Sequence, residues 1–330
     1  LKTEIPVLVG TPVPPSSDRA LPGNGVVRAG DSVREITRKQ LLPTYDVFDE
    51  ARYFEADERP GIARTIAGLD VGVTICEDAW QHCGATPNDY DSDPIAQIVE
   101  WGRQGVILDA TVNLSASPYH ANKSSSRIAV ARSAASSLNH PFLLANQVGG
   151  NDDLLFDGRS IIAWPDGTVV VAPAWSEGVL LTDLSNPESC SWIGDGEMKL
   201  LAANEDLEES DEDLLDAIVI GLSDYCRKSG ISKIVLGLSG GIDSALAACI
   251  ASAAVGPENV TGISMPSKHS SQHSIDDAKA AKEELDIEIH ELDTKIKKTS
   301  NMKKSQEKET DKLNQKRMAL ENKIESQLKE

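Results

Sequence analysis

The second half of the chain alternates helical patterns with short apolar runs, and this regular order limits the possible folds more than any other feature. The helical patterns cover 211–229, 244–254 and 274–285, and the apolar runs cover 233–237, 259–265 and 286–292. Strands that alternate with helices in this way predict parallel pairing through helical crossovers. We therefore expect one βαβαβ half of a doubly wound parallel sheet here.

The first half also has the pattern of an α/β protein. Its β-branched runs, bounded by Gly, Pro, Asn or Asp, predict strands over 6–10, 70–76, 106–114, 141–148, 160–164 and 168–172. The Ala- and Ser-rich segment 123–138 predicts a helix that ends before Pro141. The sequence Trp-Pro-Asp-Gly at 164–167 predicts a hairpin turn, because proline fixes one φ angle and glycine supplies a positive one.

Length and charge limit the number of domains and the partners. A chain of 330 residues suggests about two domains, at roughly 150 residues each. Lys and Arg number 32 against 52 Asp and Glu, which gives a net charge of −20 and disfavours nucleic acid as a partner. Aromatic residues make up 4 %, too few for a surface on which bases stack.

Cysteine usage and hydropathy favour a cytoplasmic protein. The five cysteines form no CxxC pair, so neither a disulfide framework nor a zinc site is predicted. The most apolar stretch, 234–256, is interrupted by Asp243, whose charge would be costly in a bilayer. We therefore predict no membrane span.

The acidic segment 195–213 predicts a linker between two domains, at 1–200 and 201–294. Alternatively, its charges belong to the first turn of the next helix, where they suit the helix dipole, and both interpretations can hold at once. A tail over 295–330 carries 11 Lys and Arg against 6 Asp and Glu, a net charge of +5 that leaves −25 for 1–294. This tail has no Gly, Pro or aromatic residue, and we expect a charged helix or a disordered segment.

A Gly- and Ser-rich loop follows the run at 233–237 and opens the next helical pattern. Its residues are Gly237, Leu238, Ser239, Gly240, Gly241, Ile242, Asp243 and Ser244. The glycines allow close approach of an anion, and the hydroxyls of Ser239 and Ser244 can donate to phosphate. A carboxylate there would repel phosphate unless a cation lay between them, so Asp243 is a candidate Mg²⁺ ligand. The competing interpretation is an ordinary glycine-rich turn between a strand and a helix.

This loop resembles that of the ATP pyrophosphatases, which split ATP between the α and β phosphates. The flanking residues, YCRKSGISKIVLGLSGGIDSALAACIA and NVTGISMPSKHSSQHSIDDAKAAKEELDI, resemble NAD synthetase in particular. The resemblance implies that 237–244 bind ATP and that Asp243 holds Mg²⁺. His269 stands where that family usually has tyrosine.

Cys76 ends an apolar run and opens an acidic turn, at the edge where a strand finishes. A thiolate attacks an amide carbon well when a cation stabilises the oxyanion, and Lys39 is a candidate for that cation. A cysteine at a strand end is also often an inert packing residue, and Lys39 also fits an ordinary surface lysine.

Four segments around these residues, RKQLLPTYDVFDEARYF, ICEDAW, NLSASPYHANKSSSR and NQVGGNDDLLFDGRS, resemble the nitrilase superfamily. They are most similar to the glutaminase domain of glutamine-dependent NAD synthetases. That family uses a Glu-Lys-Cys triad, and the resemblance assigns the last two roles to Lys39 and Cys76. It also implies that Tyr45, Ser117 and Lys123 bind glutamine. The triad glutamate is expected before the segment with which this sequence begins, since Glu4 and Glu35 do not match it.

The two resemblances together imply an α/β fold with a nitrilase-like α-β-β-α sandwich, a partial doubly wound ATP-pyrophosphatase domain and the charged tail. The implied reaction is glutamine-dependent synthesis of NAD⁺ from nicotinic acid adenine dinucleotide (deamido-NAD), with ATP, Mg²⁺ and a homo-oligomer. The match covers about 1–294 and is incomplete at both ends, so little turnover is expected of this chain as written. Two alternatives remain open, a non-catalytic protein that retains ATP or partner binding and a nitrilase-like amidase with a nucleotide-sensing module.

Overall fold

The computed structural model describes residues 5–17, 20–30, 32–66, 68–87, 89–265, 272–285 and 287–291. The chain divides into two compact units, 1–224 and 225–330. Two expectations concern residues outside the described ranges. They are the substitution of His269 for the family's tyrosine and the charged tail over 295–330. Among the helices of the described part, none combines the length and the apolar character that a bilayer span requires.

The first unit contains fourteen described strands and two complete helices. The strands are β1 (Val7–Val13), β2 (Gly23–Ala29), β3 (Arg34–Arg38), β4 (Gly61–Ile66), β5 (Leu69–Ile75), β6 (Ala110–Ser115), β7 (Phe142–Asn146), β8 (Val148–Asn151), β9 (Leu154–Asp157), β10 (Ile161–Ala163), β11 (Val169–Val171), β12 (Gly178–Asp183), β13 (Asn186–Gly194) and β14 (Lys199–Leu201). The helices are α1 (Pro94–Arg103) and α2 (Lys123–Leu138), and α3 (Asp211–Ser229) begins in this unit.

A seven-stranded mixed sheet forms the centre of the first unit, in the order β14-β11-β10-β7-β6-β5-β4. Strands β5, β6 and β7 are parallel, so their carboxyl ends meet at one edge. One face of the sheet packs on α2 through Phe142 and Leu144 of β7 and Ile128 of the helix. The other face packs on the antiparallel sheet β1-β2-β3 through Val73 and Val26. Alternate residues of a strand point to opposite faces, so both faces are apolar and covered.

The second unit contains three described strands and two helices. They are β15 (Ile234–Gly237), α4 (Ile242–Val255), β16 (Val260–Ser264), α5 (Gln272–Leu285) and β17 (Glu288–Glu291). The strands pair in parallel in the order β15-β16-β17. The predicted βαβαβ order is therefore confirmed, and the α/β class holds for both units.

Several predicted elements of the first half are confirmed. The helix over 123–138 has the predicted bounds, as does the helix over 211–229. The turn at 164–167 joins β10 to β11, with Gly167 at φ +88° and its N–H donating to the Trp164 carbonyl. The strand predicted from 106 begins only at Ala110, because the preceding residues return the chain from the end of α1 to the sheet.

The sequence did not predict β2, whose glycines resemble a turn. A Cβ atom on Gly23 would lie 2.6 Å from the Arg38 side chain, and one on Gly25 would lie 2.7 Å from Val13. These glycines are therefore required by close packing between strands.

Helix α1 was also not predicted, although Asp93 caps it by accepting the N–H of Ala96 and Pro94 occupies its first turn.

The acidic segment lies against the first unit. Leu207 is buried in the same core cluster as α2, and Arg159 forms ion pairs with Glu209 and Asp213. Because of these contacts, the compact units divide between Asp224 and Tyr225, later in the chain than the predicted boundary at 200/201.

We predict that Leu144→Ala lowers the free energy of unfolding of the first unit by about 2–5 kcal/mol, because Leu144 is fully buried in the central strand β7. The matched control Leu181→Ala, on a half-exposed leucine of β12, should change it by less than about 1 kcal/mol. Urea denaturation followed by tryptophan fluorescence measures this unit alone, since all five tryptophans lie within 1–224. Equal losses in the two variants would contradict the assignment of the core.

Candidate functional site

Cys76 lies at the edge where the parallel strands β5, β6 and β7 end. It follows Ile75, the last residue of β5, and opens a short 3-10 turn over Cys76–Ala79. Its φ angle is +44°, a left-handed conformation that is unfavourable for residues with a Cβ atom. Asn113 of β6 donates a hydrogen bond of 3.2 Å to the Cys76 carbonyl and 3.0 Å to the Thr74 hydroxyl. The neighbouring strand thus holds the half-buried cysteine in this conformation.

Lys39 lies beside this cysteine. Its side chain is 1 % exposed, and its Nζ lies 2.6 Å from a carboxylate oxygen of Glu50. Lys39, Glu50 and Cys76 line one cavity of about 430 Å³. The structure therefore brings together the two residues that the sequence selected for amide chemistry, and it excludes the surface-lysine interpretation of Lys39.

The charges around Cys76 act on its thiol in opposite directions, since Lys39 favours the thiolate while Glu50 and Glu77 disfavour it. Burial raises the pKa of the Cys76 thiol, and the positive charge of Lys39 offsets this only in part. Burial disfavours the Lys39 ammonium, but the negative charges of the Cys76 thiolate and Glu50 more than compensate, and the pKa of Lys39 is raised. Because the pKa of the Cys76 thiol is raised, the thiol must lose a proton before it can attack.

A second cavity, of about 490 Å³, opens on another side of Cys76. Its lining includes the three residues that the sequence assigned to substrate binding together with two that it did not, namely Tyr45, Ser117, Lys123, Glu77 and Trp80. Ser117 is held through its main chain, since its N–H donates to the Asn146 side chain at 2.9 Å. The three predicted residues and Cys76 therefore share one site.

Three carboxylates, those of Asp46, Glu77 and Asp153, and one lysine, Lys123, line this cavity, and of the three carboxylates only that of Glu77 is buried. The Glu77 carboxylate accepts hydrogen bonds from the Tyr45 hydroxyl at 2.7 Å and the Tyr90 hydroxyl at 3.3 Å. The Lys123 Nζ lies 4.5 Å from the centre of the Trp80 ring, a cation–π contact. Burial lowers the pKa of Lys123. A cavity with both charges is complementary to a small molecule that carries both an ammonium and a carboxylate group.

The sequence did not predict four acidic residues of this site, namely the buried Glu77, the half-buried Glu50 and the exposed Asp46 and Asp153. Glu77 could have been found as the acidic neighbour of the candidate nucleophile. Glu50 carries no local signal, because its partner Lys39 lies eleven residues away across a turn.

The candidate phosphate loop lies in the second unit between β15 and α4. Gly240 has a φ angle of +79°, so the chain turns at a residue without a side chain. The Ser239 hydroxyl accepts the Gly241 N–H at 3.2 Å, and the Ser244 hydroxyl donates to the Gly241 carbonyl at 2.8 Å. The loop therefore lies between a strand and a helix, as the sequence predicted, and both hydroxyls form hydrogen bonds within the loop.

A cavity of about 280 Å³ adjoins this loop, and only some of the predicted residues line it. The lining includes Leu238, Gly240, Gly241, Ile242 and Ser244. Gly237 ends β15, and the exposed Asp243 lies in the first turn of α4. Within the described ranges, no group of three or more His, Cys, Asp or Glu side chains is placed to hold a metal ion.

Two family models match the chain. The carbon-nitrogen hydrolase model matches 24–193, and the NAD synthase model matches 214–327. The residues between the two matched ranges, 194–213, are those of the acidic segment and one residue before it. The second match extends into the tail over 295–330, so the expectation that the tail carries no family signature is wrong.

Two curated glutamine-dependent NAD(+) synthetases match most of this chain. Glutamine-dependent NAD(+) synthetase of Synechocystis sp. is 40 % identical over 290 residues, which are 85 % of this chain and 49 % of that protein. The enzyme of that name from Aquifex aeolicus is 37 % identical over 297 residues, covering 82 % of this chain and 49 % of that protein. This chain thus spans about half the length of these relatives.

A solved structure agrees with the sequence matches. The glutamine-dependent NAD+ synthetase of Acinetobacter baumannii, in complex with ADP, superposes with a TM-score of 0.71 at 28 % identity. The superposition covers 92 % of this chain and 53 % of that one. Both resemblances drawn from the motifs are confirmed. The chain belongs to the carbon-nitrogen hydrolase family and carries, in its second half, a segment of the NAD synthase family.

Proposed function

We propose that this chain belongs to a glutamine-dependent NAD⁺ synthetase, in which the first unit releases ammonia from glutamine and the second unit serves the ATP-dependent step. The observation that carries the proposal is the cavity in which Cys76 lies together with the oppositely charged side chains of Glu77 and Lys123. An amino acid with a terminal carboxamide matches this arrangement, because its two charged groups and its reacting carbon are at opposite ends.

In the amidase step, the Cys76 sulfur attacks the carboxamide carbon of glutamine. The thiol proton passes to a carboxylate, and the Lys39 ammonium stabilises the negative charge that develops on the carbonyl oxygen. Collapse of this adduct breaks the carbon–nitrogen bond as the carboxylate returns the proton to the departing nitrogen, which leaves as ammonia, and water then hydrolyses the thioester to glutamate and restores the thiol. Glu50, 2.6 Å from Lys39, keeps the ammonium at the cavity wall.

Substrate selection follows from the charges of the second cavity. Glu77, held by the Tyr45 and Tyr90 hydroxyls, binds the ammonium group of glutamine. Lys123 and Ser117 bind its carboxylate. Glu77 is buried and Lys123 is partly buried, so an ion pair of either with the substrate is less weakened by water than it would be at the surface.

In the second unit, we propose that the loop over 237–244 binds ATP. Main-chain N–H groups at the start of α4 and the Ser239 and Ser244 hydroxyls would bind the phosphates, and Asp243 would hold Mg²⁺. A single exposed carboxylate fits this ion, which commonly takes only one or two protein carboxylates beside a nucleotide. When bound, Mg²⁺ neutralises phosphate charge.

The product step uses the ammonia that the first unit releases. ATP adenylates the carboxylate of deamido-NAD with loss of pyrophosphate, and ammonia displaces AMP to give NAD⁺.

We further propose a cytoplasmic homo-oligomer. All five cysteines are free thiols, as expected of a protein in a reducing compartment.

Cys76 should be the cysteine that reacts with 6-diazo-5-oxo-L-norleucine, an electrophile that carries the ammonium and carboxylate groups of glutamine. Peptide mass spectrometry should show that the adduct forms at Cys76 at least about tenfold faster than at Cys83 or Cys226. Of these three cysteines, only Cys76 lies in the cavity that contains Glu77 and Lys123. L-glutamine should protect it. Faster labelling of Cys83 or Cys226 would contradict the proposed amidase role.

Lys39→Met should raise the pH at which Cys76 becomes reactive. Burial already holds the thiol pKa above its usual value, and removal of the nearby positive charge makes the thiolate still less favourable. The midpoint of the iodoacetamide rate against pH should therefore rise by about one unit relative to the unchanged chain. Lys199→Met, at an exposed lysine of β14, is the control and should leave the midpoint unchanged. An unchanged midpoint in Lys39→Met would show that this ammonium does not act on the thiol.

Asp243→Asn should weaken ATP binding mainly when Mg²⁺ is present. Calorimetry should show a loss of about tenfold with Mg²⁺ and less than about twofold in EDTA, since the carboxylate acts through the cation. Glu258→Gln, an exposed residue just after α4, is the control. Equal losses with and without Mg²⁺ would argue that Asp243 contributes to the loop without binding the ion.

A further inference from the structure

The first turn of α2 takes part of its cap from a distant part of the chain. Asn122, immediately before the helix, has a φ angle of +66°, and its side chain makes no capping hydrogen bond. The N–H groups at the start of a helix have no partner within the helix, so they need an acceptor from elsewhere. The next residue, Lys123, supplies the positive charge of the amidase cavity.

Glu209 of the acidic segment supplies that acceptor. One carboxylate oxygen accepts the Asn122 N–H at 2.8 Å and the other accepts the Ser124 N–H at 3.1 Å, so the two hydrogen bonds flank Lys123. Burial opposes the charge on Glu209, but hydrogen bonds from Ser124 and Asn122 outweigh it and hold the pKa of this carboxyl below its ordinary value. The cap is therefore a charged group at neutral pH.

Arg159 fixes Glu209 in place. Its guanidinium lies 3.2 Å from a Glu209 oxygen, donates to the Ser124 hydroxyl at 2.6 Å and pairs with Asp213 at the start of α3. The side chains of Arg159 and Glu209 are 7 % and 6 % exposed, so water competes little for these contacts. Leu207, two residues earlier, is buried beside α2. The segment is thus attached to α2 by apolar packing and by a buried charge network.

We propose that Glu209 is a positioning residue for the amidase site, which holds Lys123 over Trp80 so that the lysine can bind the carboxylate of an amino-acid substrate. This inference rests on the proposed function of the first unit. Lys123 cannot change its main-chain position without breaking one of two charge-assisted hydrogen bonds. The segment between the two matched family spans therefore sets the affinity of the amidase cavity for its substrate, in addition to joining the spans.

Glu209→Gln tests this role, because the amide side chain loses the charge and one of the two acceptors. The matched control is Glu208→Gln, which removes the same charge from an exposed neighbour. In the unchanged chain and both variants, the labelling rate of Cys76 is measured against the concentration of 6-diazo-5-oxo-L-norleucine. Iodoacetamide, which lacks the charged groups of an amino acid, reports the reactivity of the thiol alone.

Glu209→Gln should raise the half-saturating concentration of the amino-acid reagent by about tenfold, as expected for loss of charge-assisted hydrogen bonds. The limiting rate and the iodoacetamide rate should change by less than about twofold, and Glu208→Gln should match the unchanged chain. Amide hydrogen exchange should become faster at Asn122 and Ser124 in Glu209→Gln only. This exchange measurement needs no substrate.

Four results would overturn the inference. Unchanged half-saturation in Glu209→Gln would show that Lys123 does not depend on this cap, and unchanged exchange would show that the cap itself is absent. Equal losses with both reagents would show general damage to the fold in place of positioning. If the unchanged chain gave no saturable labelling of Cys76 by the amino-acid reagent, the proposed amidase function would fall, and this inference with it.

Discussion

The buried carboxylate of Asp78 connects the two chain segments that form the candidate amidase pair. One of its oxygens accepts the N–H groups of Gln40 and Leu41, immediately after Lys39, and the other accepts the N–H of Ile75, immediately before Cys76. Burial raises the pKa of Asp78 to about 6, against the opposing effect of these three N–H groups. The relative position of ammonium and thiol thus depends on one side chain that touches neither substrate cavity.

Parallel pairing places the remaining residues around this pair. Because β5, β6 and β7 run in the same direction, Cys76, Ser117 and Asn146 all follow or end strands at one edge of the sheet. Loops at the carboxyl ends of parallel strands are a frequent place for binding residues. Helix α2 then returns from this edge, with Lys123 at its first position. The fold of the first unit and the composition of its cavity are therefore consequences of the same strand directions.

Local patterns predicted the parts of the molecule that depend on neighbours in sequence. The bounds of α2 and α3, the turn at 164–167 and the loop at 237–244 follow from periodicity, proline and glycine. Lys39 was a candidate cation for Cys76, but only the resemblance favoured it over an ordinary surface lysine, since a buried lysine has no local signature. Contacts between distant residues could not be predicted: Tyr45 meets Glu77 across 32 residues, and Asn122 meets Glu209 across 87.

The left-handed conformation of Cys76 carries a cost to folding. A residue with a Cβ atom in this region gives up about 1 kcal/mol or more compared with glycine. A sequence selected only for folding stability would therefore place glycine at position 76, and the thiol would be lost. Folding stability and retention of a thiol thus make opposite demands on position 76, so a search for more stable variants of this chain would favour loss of its candidate nucleophile.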